Sequence, residues 1–377
     1  MTRPPPARAG DAIAAVETPA LVIDLDALER NIARMAAFAS ERGLRLRPHA
    51  KTHKSAHVAR LQLAAGAAGV CVQKVSEAEA LAAAGIADIF ISNEVIAEDR
   101  VARVAALAGR IRLAIAVDSA LGVDRLARAL QSAGSAIDVF VEVDVGQGRC
   151  GVAPAAAGAL ARRVASHAGL RLAGLHAYHG GAQHIRASVK REHAIRRAAA
   201  AASAARAAVT SAGLACPLVT GAGSGSFAFE AASGVYGELQ PGSYVFLDRD
   251  YAANEAAPHA PAFEHALFVM SRVMSRGAAH AVVDAGHKSH AIDSGPPAVW
   301  QRELEFVNGG DEHGILLART GASAADALPA LDEIVWLVPG HCDPTVNLHD
   351  HYVCLRGGLL HGTVDAVWPV DARGCVA

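Results

Sequence analysis

Four short stretches of this chain hold residue types that can do chemistry. In Arg47-Pro48-His49-Ala50-Lys51-Thr52-His53-Lys54 a lysine stands among other bases. Neighbouring positive charge and burial both favour its neutral amine, the form that condenses with a carbonyl. Lys54 falls where a following helix should begin, so Lys51 is the candidate nucleophile; the eight residues alone read equally well as a basic solvated loop. In Thr220-Gly221-Ala222-Gly223-Ser224-Gly225-Ser226, glycines and hydroxyls follow an apolar run and expose N–H groups to an anion, typically phosphate. The stretch lacks the Gly-Lys-Ser/Thr of a P-loop and by itself is equally a flexible turn. Pro241-Gly242-Ser243-Tyr244 would complete such a cradle.

The third stretch, His176-Ala177-Tyr178-His179-Gly180-Gly181-Ala182-Gln183-His184, gathers three histidines and a tyrosine. Tyr178 offers a ring face for stacking and the histidines offer proton transfer. The fourth is Pro339-Gly340-His341-Cys342-Asp343-Pro344. At the two-residue period of a strand, His341 and Asp343 face one way and Cys342 the other, giving half of a divalent-metal site. A lone His-x-Asp is a weak signal, which His349 and His351 nearby would strengthen unless they are simply surface residues.

The elements that must position these groups alternate. Strand-like runs are Ala20–Asp24, Leu44–Ala50, Gly69–Val72, Asp88–Ser92, Arg112–Asp118, Asp138–Asp144, Arg171–Tyr178, Pro217–Thr220 and Leu239–Leu247. Between them lie helical runs such as Glu77–Ala84, Ala155–His167 and Ala187–Ala212. In the first helix Asp26 and Glu29 resemble a capping box, Leu28, Ile32 and Met35 form one stripe, and Gly43 marks the stop. Such β-α repetition predicts a (β/α)8 barrel of parallel strands. The open-sheet alternative is weaker, since no G-x-G-x-x-G follows the first strand. Nine candidates for eight places leave Ala20–Asp24 as the spare, so Lys51 ends barrel strand one, where barrel active sites lie.

Arg249–Pro261 is polar and contains proline, which marks a boundary. Beyond it come short β-runs, Ala266–Met274, Ala281–Asp284, Ile334–Val338, Tyr352–Arg356 and Val364–Pro369, predicting a C-terminal antiparallel β-domain. The expected division is a barrel over residues 22–252 and a β-domain from 1–21 plus 253–377. The length of 377 residues fits two cores better than one. A net charge of −2 and 19% charged residues exclude a strongly basic nucleic-acid binder and an acidic disordered chain. No apolar run reaches membrane-spanning length. The proline-rich start reads as a frayed terminus without a signal-peptide core. Six scattered cysteines (71, 150, 216, 342, 354 and 375) form no C-x-x-C pair, as expected of reduced cytoplasmic thiols.

Lysine at strand one, a Gly/Ser loop at strand seven and a β-domain behind them resemble the plan of fold-type III pyridoxal-phosphate enzymes. The motifs at 47–54 and 339–344 resemble signatures of the D-threonine aldolase and D-serine dehydratase branch. That resemblance implies that Lys51 carries pyridoxal 5'-phosphate and that His341 and Asp343 hold a divalent metal. With an oxygen ligand at 343, Mn2+ or a similar ion suits better than the zinc of a cysteine site. The alanine racemase relatives imply further roles. Arg149, in Gly146-Gln147-Gly148-Arg149, would lie beside the cofactor's phenolic oxygen and Tyr178 would stack on its ring. Gln240 replaces an arginine facing the pyridine nitrogen, which argues against bare racemisation. Thr220, Gly223, Ser224, Gly242, Ser243 and Tyr244 would surround the phosphate.

The implied activity is retro-aldol cleavage of D-threonine-type amino acids to glycine and an aldehyde, with His184 the first candidate for the proton-transferring base and His179 the second. The alternative within the branch is a D-serine or D-3-hydroxyaspartate dehydratase releasing ammonia. A cofactor carrier without catalysis and a histidine-rich metal hydrolase are readings from other classes. The resemblance also implies a homodimer acting on a small D-amino acid.

Overall fold

Two sheets take up the apolar runs. The computed structural model describes residues 4–319 and 327–377. In chain order the first strands are β1 (Ala20–Asp24), β2 (Arg45–Leu46), β3 (Val70–Val72), β4 (Asp88–Ile91), β5 (Arg112–Val117), β6 (Ile137–Glu142), β7 (Leu170–Ala177), β8 (Val219–Gly221) and β9 (Glu238–Leu239). After them come β10 (Leu267–Arg276), β11 (His280–Val283), β12 (Ala298–Val299), β13 (Leu304–Asn308), β14 (Gly314–Ala318), β15 (Ile334–Val338), β16 (His351–Arg356) and β17 (Thr363–Pro369).

Strands β2 to β9 form one parallel sheet in the order β2-β9-β8-β7-β6-β5-β4-β3. A parallel bridge between His49 and Cys71 joins its two ends. There the Cys71 N–H donates to the Pro48 carbonyl at 2.8 Å and the Ala50 N–H to the Cys71 carbonyl at 2.7 Å. The barrel is therefore closed, and Lys51 follows its first strand in a turn. The strand expected over 44–50 is regular only at Arg45–Leu46, because Pro48 has no N–H to donate. The run expected to continue to Leu247 stops at Leu239, where Pro241 and Gly242 turn the chain into a 3-10 segment, Ser243–Val245.

Inside the barrel Phe90 and Phe140 pack with ring centroids 4.8 Å apart. Arg47 lies in the same interior, only 5% exposed, with Asp88 at 2.6 Å and Glu238 at 3.3 Å. A buried guanidinium is tolerable there because two carboxylates compensate its lost hydration. The outer helices show the expected stripes. Helix Leu25–Glu41 buries Leu28, Ile32, Met35 and Phe38, each contributing roughly 1.5–3 kcal/mol of transfer free energy. Its cap is not the expected box. Asp24 accepts from the Ala27 N–H at 3.1 Å, while Asp26 and Glu29 bind Arg356, each at 2.8 Å.

The second sheet runs β13-β14-β11-β10-β1-β16-β17, with β15 between β10 and β12. It is antiparallel except where β1 lies parallel to β16. Every residue of β1 belongs to this sheet's layer, so a domain boundary at residue 22 would cut a strand. Residues 1–3 lie outside the described part, but the segment after them is docked rather than frayed. Ala7 is buried and the Glu17 N–H donates to the Pro6 carbonyl at 2.9 Å. The stretch after Asp248 is likewise no free linker. Residues Arg249–Ala252 form a helical turn whose N–H groups at Arg249 and Asp250 donate to Pro339 and Gly340 at 3.0 and 3.1 Å. That contact brings the His341 segment to the barrel mouth.

Candidate active site

A cavity of about 200 Å³ opens at the carboxyl ends of the barrel strands. Lys51, Arg149, Tyr178, Gly223, Ser224, Gln240, Gly242 and Ser243 all line it. Two other expected residues stand back from it. Thr220 is fully buried; its hydroxyl donates to Glu238 at 2.9 Å and accepts from the Gln240 amide at 2.7 Å. The Tyr244 ring points into the core, where Gln62 donates to its hydroxyl at 3.1 Å. Only its backbone serves the loop, through an N–H donated to the Ser224 hydroxyl at 2.9 Å.

The Gly/Ser loop is built for close approach. Ala222 sits at φ 74°, turning the chain so that the N–H groups of Gly223 and Ser224 stay out of backbone pairing. A Cβ on Gly225 would come 2.4 Å from the Gln183 carbonyl oxygen, and one on Gly242 would come 2.6 Å from the Thr52 hydroxyl. These unpaired donors and this bare backbone fit a phosphate group.

Below the loop, side chains from several strands form one hydrogen-bonded floor. His176 bridges Glu142 at 3.1 Å and the Gln240 side-chain oxygen at 3.2 Å. Arg149 stands at the opposite wall, 3.9 Å from Glu142, its guanidinium carbon 5.5 Å from the Tyr178 ring centre. His49 accepts from the Gln73 amide at 2.8 Å and lies 3.1 Å from the Ser92 hydroxyl. Burial, and then the Lys51 charge, hold the His49 imidazole well below its ordinary range, hence neutral.

Lys51 departs from expectation. Burial alone would depress its amine, but the Asp343 carboxylate forms a direct ion pair with Nζ, and the net shift is upward. The same pairing runs the other way at Asp343. Burial would raise that carboxyl, yet Lys51 and His341 hold it well below the usual carboxylate range.

His341 and Asp343 meet as the sequence requires, though not on a strand. β15 ends at Val338, and Cys342–Val346 is helical with His341 as its cap. Cys342 is buried with no exposure, so Asp343 is the residue presented. His341 Nδ1 lies 2.9 Å from Asp248, which leaves Nε2 facing Asp343 Oδ2 at 3.9 Å. Asp343 Oδ1 is buried without a well-formed hydrogen bond. An imidazole nitrogen and a buried carboxylate oxygen in want of a partner fit a divalent cation. Burial pushes His341 down, but Asp248 and Asp343 together bring it up to about 9.

The two candidate bases separate. His184 sits at the rim with 49% of its side chain exposed, its Nδ1 2.5 Å from Asp250 and its ring centre 5.5 Å from that of Tyr251. Neither histidine is among the residues lining the cavity; His179 packs against the loop at Gly146, with burial lowering its basicity, whereas His184 adjoins the lining residue Tyr251. Sequence reasoning missed Gln73, Ser92, Tyr251, Asp248 and Asp250. Gln73 and Ser92 had a signal, a polar residue directly after an apolar barrel strand; Asp250 and Tyr251 sat in the supposed boundary stretch and Asp248 directly before it.

The comparisons with known proteins agree with this geometry. Residues 23–250 match the family model described as alanine racemase, N-terminal domain, and residues 266–355 match a putative serine dehydratase domain. A D-threonine aldolase of Arthrobacter is 46% identical over 98% of this chain and 96% of its own length. A 3-hydroxy-D-aspartate aldolase of Paracoccus denitrificans is 41% identical over 95% and 92%. The crystal structure of a D-threonine aldolase from Filomicrobium marinum superposes with a TM-score of 0.95 at 47% identity, covering all of both chains.

Proposed function

The chain belongs to the D-threonine aldolase branch of the alanine racemase-like, pyridoxal-phosphate-dependent lyases, and from that premise we propose how its own residues divide the work. The activity is aldol cleavage of D-β-hydroxy-α-amino acids to glycine and an aldehyde. Its substrates are of the D-threonine type, taken up as small molecules at the barrel mouth. The observation that carries this reading is the meeting of the Lys51 amine and the Gly/Ser anion loop in one cavity, to which the His341–Asp343 pair is joined through the Lys51–Asp343 ion pair.

Bound pyridoxal 5'-phosphate supplies an electron sink, and a divalent cation makes a nearby hydroxyl more acidic. Lys51 tethers the cofactor. The N–H groups of Gly223, Ser224 and Gly242 and the Ser243 hydroxyl hold its phosphate, with Thr220 and the Tyr244 backbone bracing them. Of the residues lining the cavity, Tyr178 would stack on the ring, Arg149 would supply positive charge to its oxygen and neutral Gln240 would serve its nitrogen. His341 and Asp343 hold the cation, for which Mn2+ suits the mixed nitrogen and oxygen donors. His184 takes the β-hydroxyl proton as Cα–Cβ breaks, and Tyr251 shields the reacting bond from water. Its exposure lets His184 exchange that proton with solvent between turnovers; His179 lacks the contact with Tyr251 that sets His184 beside the cavity.

The buried Cys342 favours cleavage over ammonia release, since the cysteine-ligand pattern associated with dehydration is absent from the cavity wall. Six unpaired cysteines support a reducing, cytoplasmic setting. The assembly is a homodimer on family grounds, which sedimentation would check. Incubation with D-threonine and Mn2+ tests the whole reading. Equimolar glycine and acetaldehyde, lost on chelation, are expected; ammonia and a keto acid would replace the aldolase with a dehydratase.

A further inference from the structure

The turn Arg249–Ala252 carries two carboxylates, Asp248 at its cap and Asp250 within it, and each binds Nδ1 of a different histidine. We propose that Asp248 and Asp250 are positioning residues, which hold Nδ1 of His341 and of His184 respectively and so make Nε2 the nitrogen each ring presents to the reacting groups. This rests on the assignment of His341 to the cation and His184 to proton transfer, and names what makes both competent.

The argument begins with hydrogen-bond capacity. A carboxylate can only accept, so an imidazole nitrogen against it must carry a proton, and the other nitrogen of a neutral ring keeps its lone pair. Asp248 is fully buried. Its Oδ2 accepts from His341 Nδ1 at 2.9 Å and from the Cys342 N–H at 3.0 Å, and its Oδ1 accepts from the Tyr251 N–H at 2.9 Å. No rotation of this carboxylate is possible without losing one of three bonds, so the His341 ring is held with Nδ1 against Asp248 and Nε2 turned toward Asp343. Asp250 is 8% exposed and shared between His184 Nδ1 and the Arg186 guanidinium. Arg186 also donates to the Asn254 side chain at 2.8 Å, which anchors the clamp from a second side.

The two carboxylates belong to one rigid turn. Its N–H groups at Arg249 and Asp250 are bonded to Pro339 and Gly340, immediately before His341. Tyr251, which lines the cavity, lies between the two rings, with centres 5.5 Å from His184 and 6.5 Å from His341. The turn therefore sets the spacing between a cation ligand contributed by the second domain and a base contributed by the barrel.

An asparagine at either position separates the effects. In Asp250→Asn the side chain would have one acceptor oxygen for two donors; permanently charged Arg186 keeps it, so the amide N–H₂ faces His184 and forces the proton onto Nε2. Holoenzyme variants Asp250→Asn, His184→Gln and their combination, with Asp248→Asn alongside, give the test. Cleavage of D-threonine is followed as kcat and KM, and Mn2+ binding by electron paramagnetic resonance. Asp250→Asn is expected to lower kcat about 100-fold with KM and Mn2+ affinity little changed, by analogy with the wrong-tautomer effect in a catalytic triad. In the His184→Gln background it should change kcat less than about 2-fold. Asp248→Asn is expected to weaken Mn2+ binding about 10- to 100-fold.

Losses from Asp250→Asn and His184→Gln that simply multiply would overturn the proposal, as would wild-type Mn2+ affinity in Asp248→Asn. Full activity of His184→Gln would instead overturn the assignment beneath it. Should Asp250→Asn not fold, Arg186→Gln serves in its place. It should lower kcat when His184 is present and not when His184 is glutamine; equal effects in both backgrounds count against the proposal.

Discussion

Lys51 Nζ and Asp343 Oδ2, 292 positions apart in sequence, are joined as an ion pair across the two domains. The pairing raises the Lys51 amine against burial and holds the Asp343 carboxyl well below the usual carboxylate range. Burial favours the neutral amine, and Asp343, with Tyr178 and Glu77 behind it, outweighs that effect.

Asp343→Asn should separate metal from cofactor. The variant keeps the Gly/Ser loop and Lys51, so it is expected to bind pyridoxal 5'-phosphate covalently and absorb in the visible. Its Mn2+ affinity should fall at least 10-fold and its cleavage of D-threonine at least 100-fold, since one of two protein ligands is gone. Spectrophotometry and metal titration on one preparation check both. Undiminished Mn2+ binding would remove Asp343 from the metal site.

Gly225→Ala probes the anion loop. The added Cβ would meet a backbone oxygen at 2.4 Å, which no side-chain rotation relieves, so the loop must shift. Weaker cofactor retention on dialysis is expected, roughly 10-fold or more, with little change in Mn2+ binding because the metal residues lie on another element. Equal cofactor retention would move the phosphate site elsewhere.

The barrel was legible in the sequence because most of its strands are apolar runs and several, such as β5 and β7, are followed by an Ala-rich helical run. Lys51 was legible because strand end and motif coincided. The lysine's charge state was not, because Asp343 reaches it from the far end of the chain and no local pattern encodes that. Likewise Asp248 and Asp250 looked like linker polarity. Their meaning comes only from Pro339 and Gly340 docking onto the turn. The expected strand geometry at His341 failed for a local reason: His341 caps a short helix, yet the facing of His341 and Asp343 survived.

Glu230 gives a prediction in pH. It is 1% exposed behind the Gly/Ser loop, with the Ser226 hydroxyl at 2.8 Å, and burial pushes its carboxyl up to about 7. Below about pH 4.5 the group is protonated in both folded and unfolded chains and is neutral in effect. Between there and about pH 7 the unfolded chain loses its proton first, so stability falls, and above pH 7 the full cost remains. Glu230→Gln should therefore gain roughly 2–3 kcal/mol more over the parent at pH 8 than at pH 4.5. Denaturant melts at the two pH values measure this; an equal difference at both would mean the carboxyl is not desolvated.

The central claim is that the Lys51 amine tethers pyridoxal phosphate within this cavity. Borohydride reduction of the cofactor-loaded protein, followed by peptide mapping, tests it most directly. The label is expected on Lys51 alone, with colour and D-threonine cleavage both lost in Lys51→Ala. A label on Lys54 or another lysine, or an active and coloured Lys51→Ala protein, would contradict it.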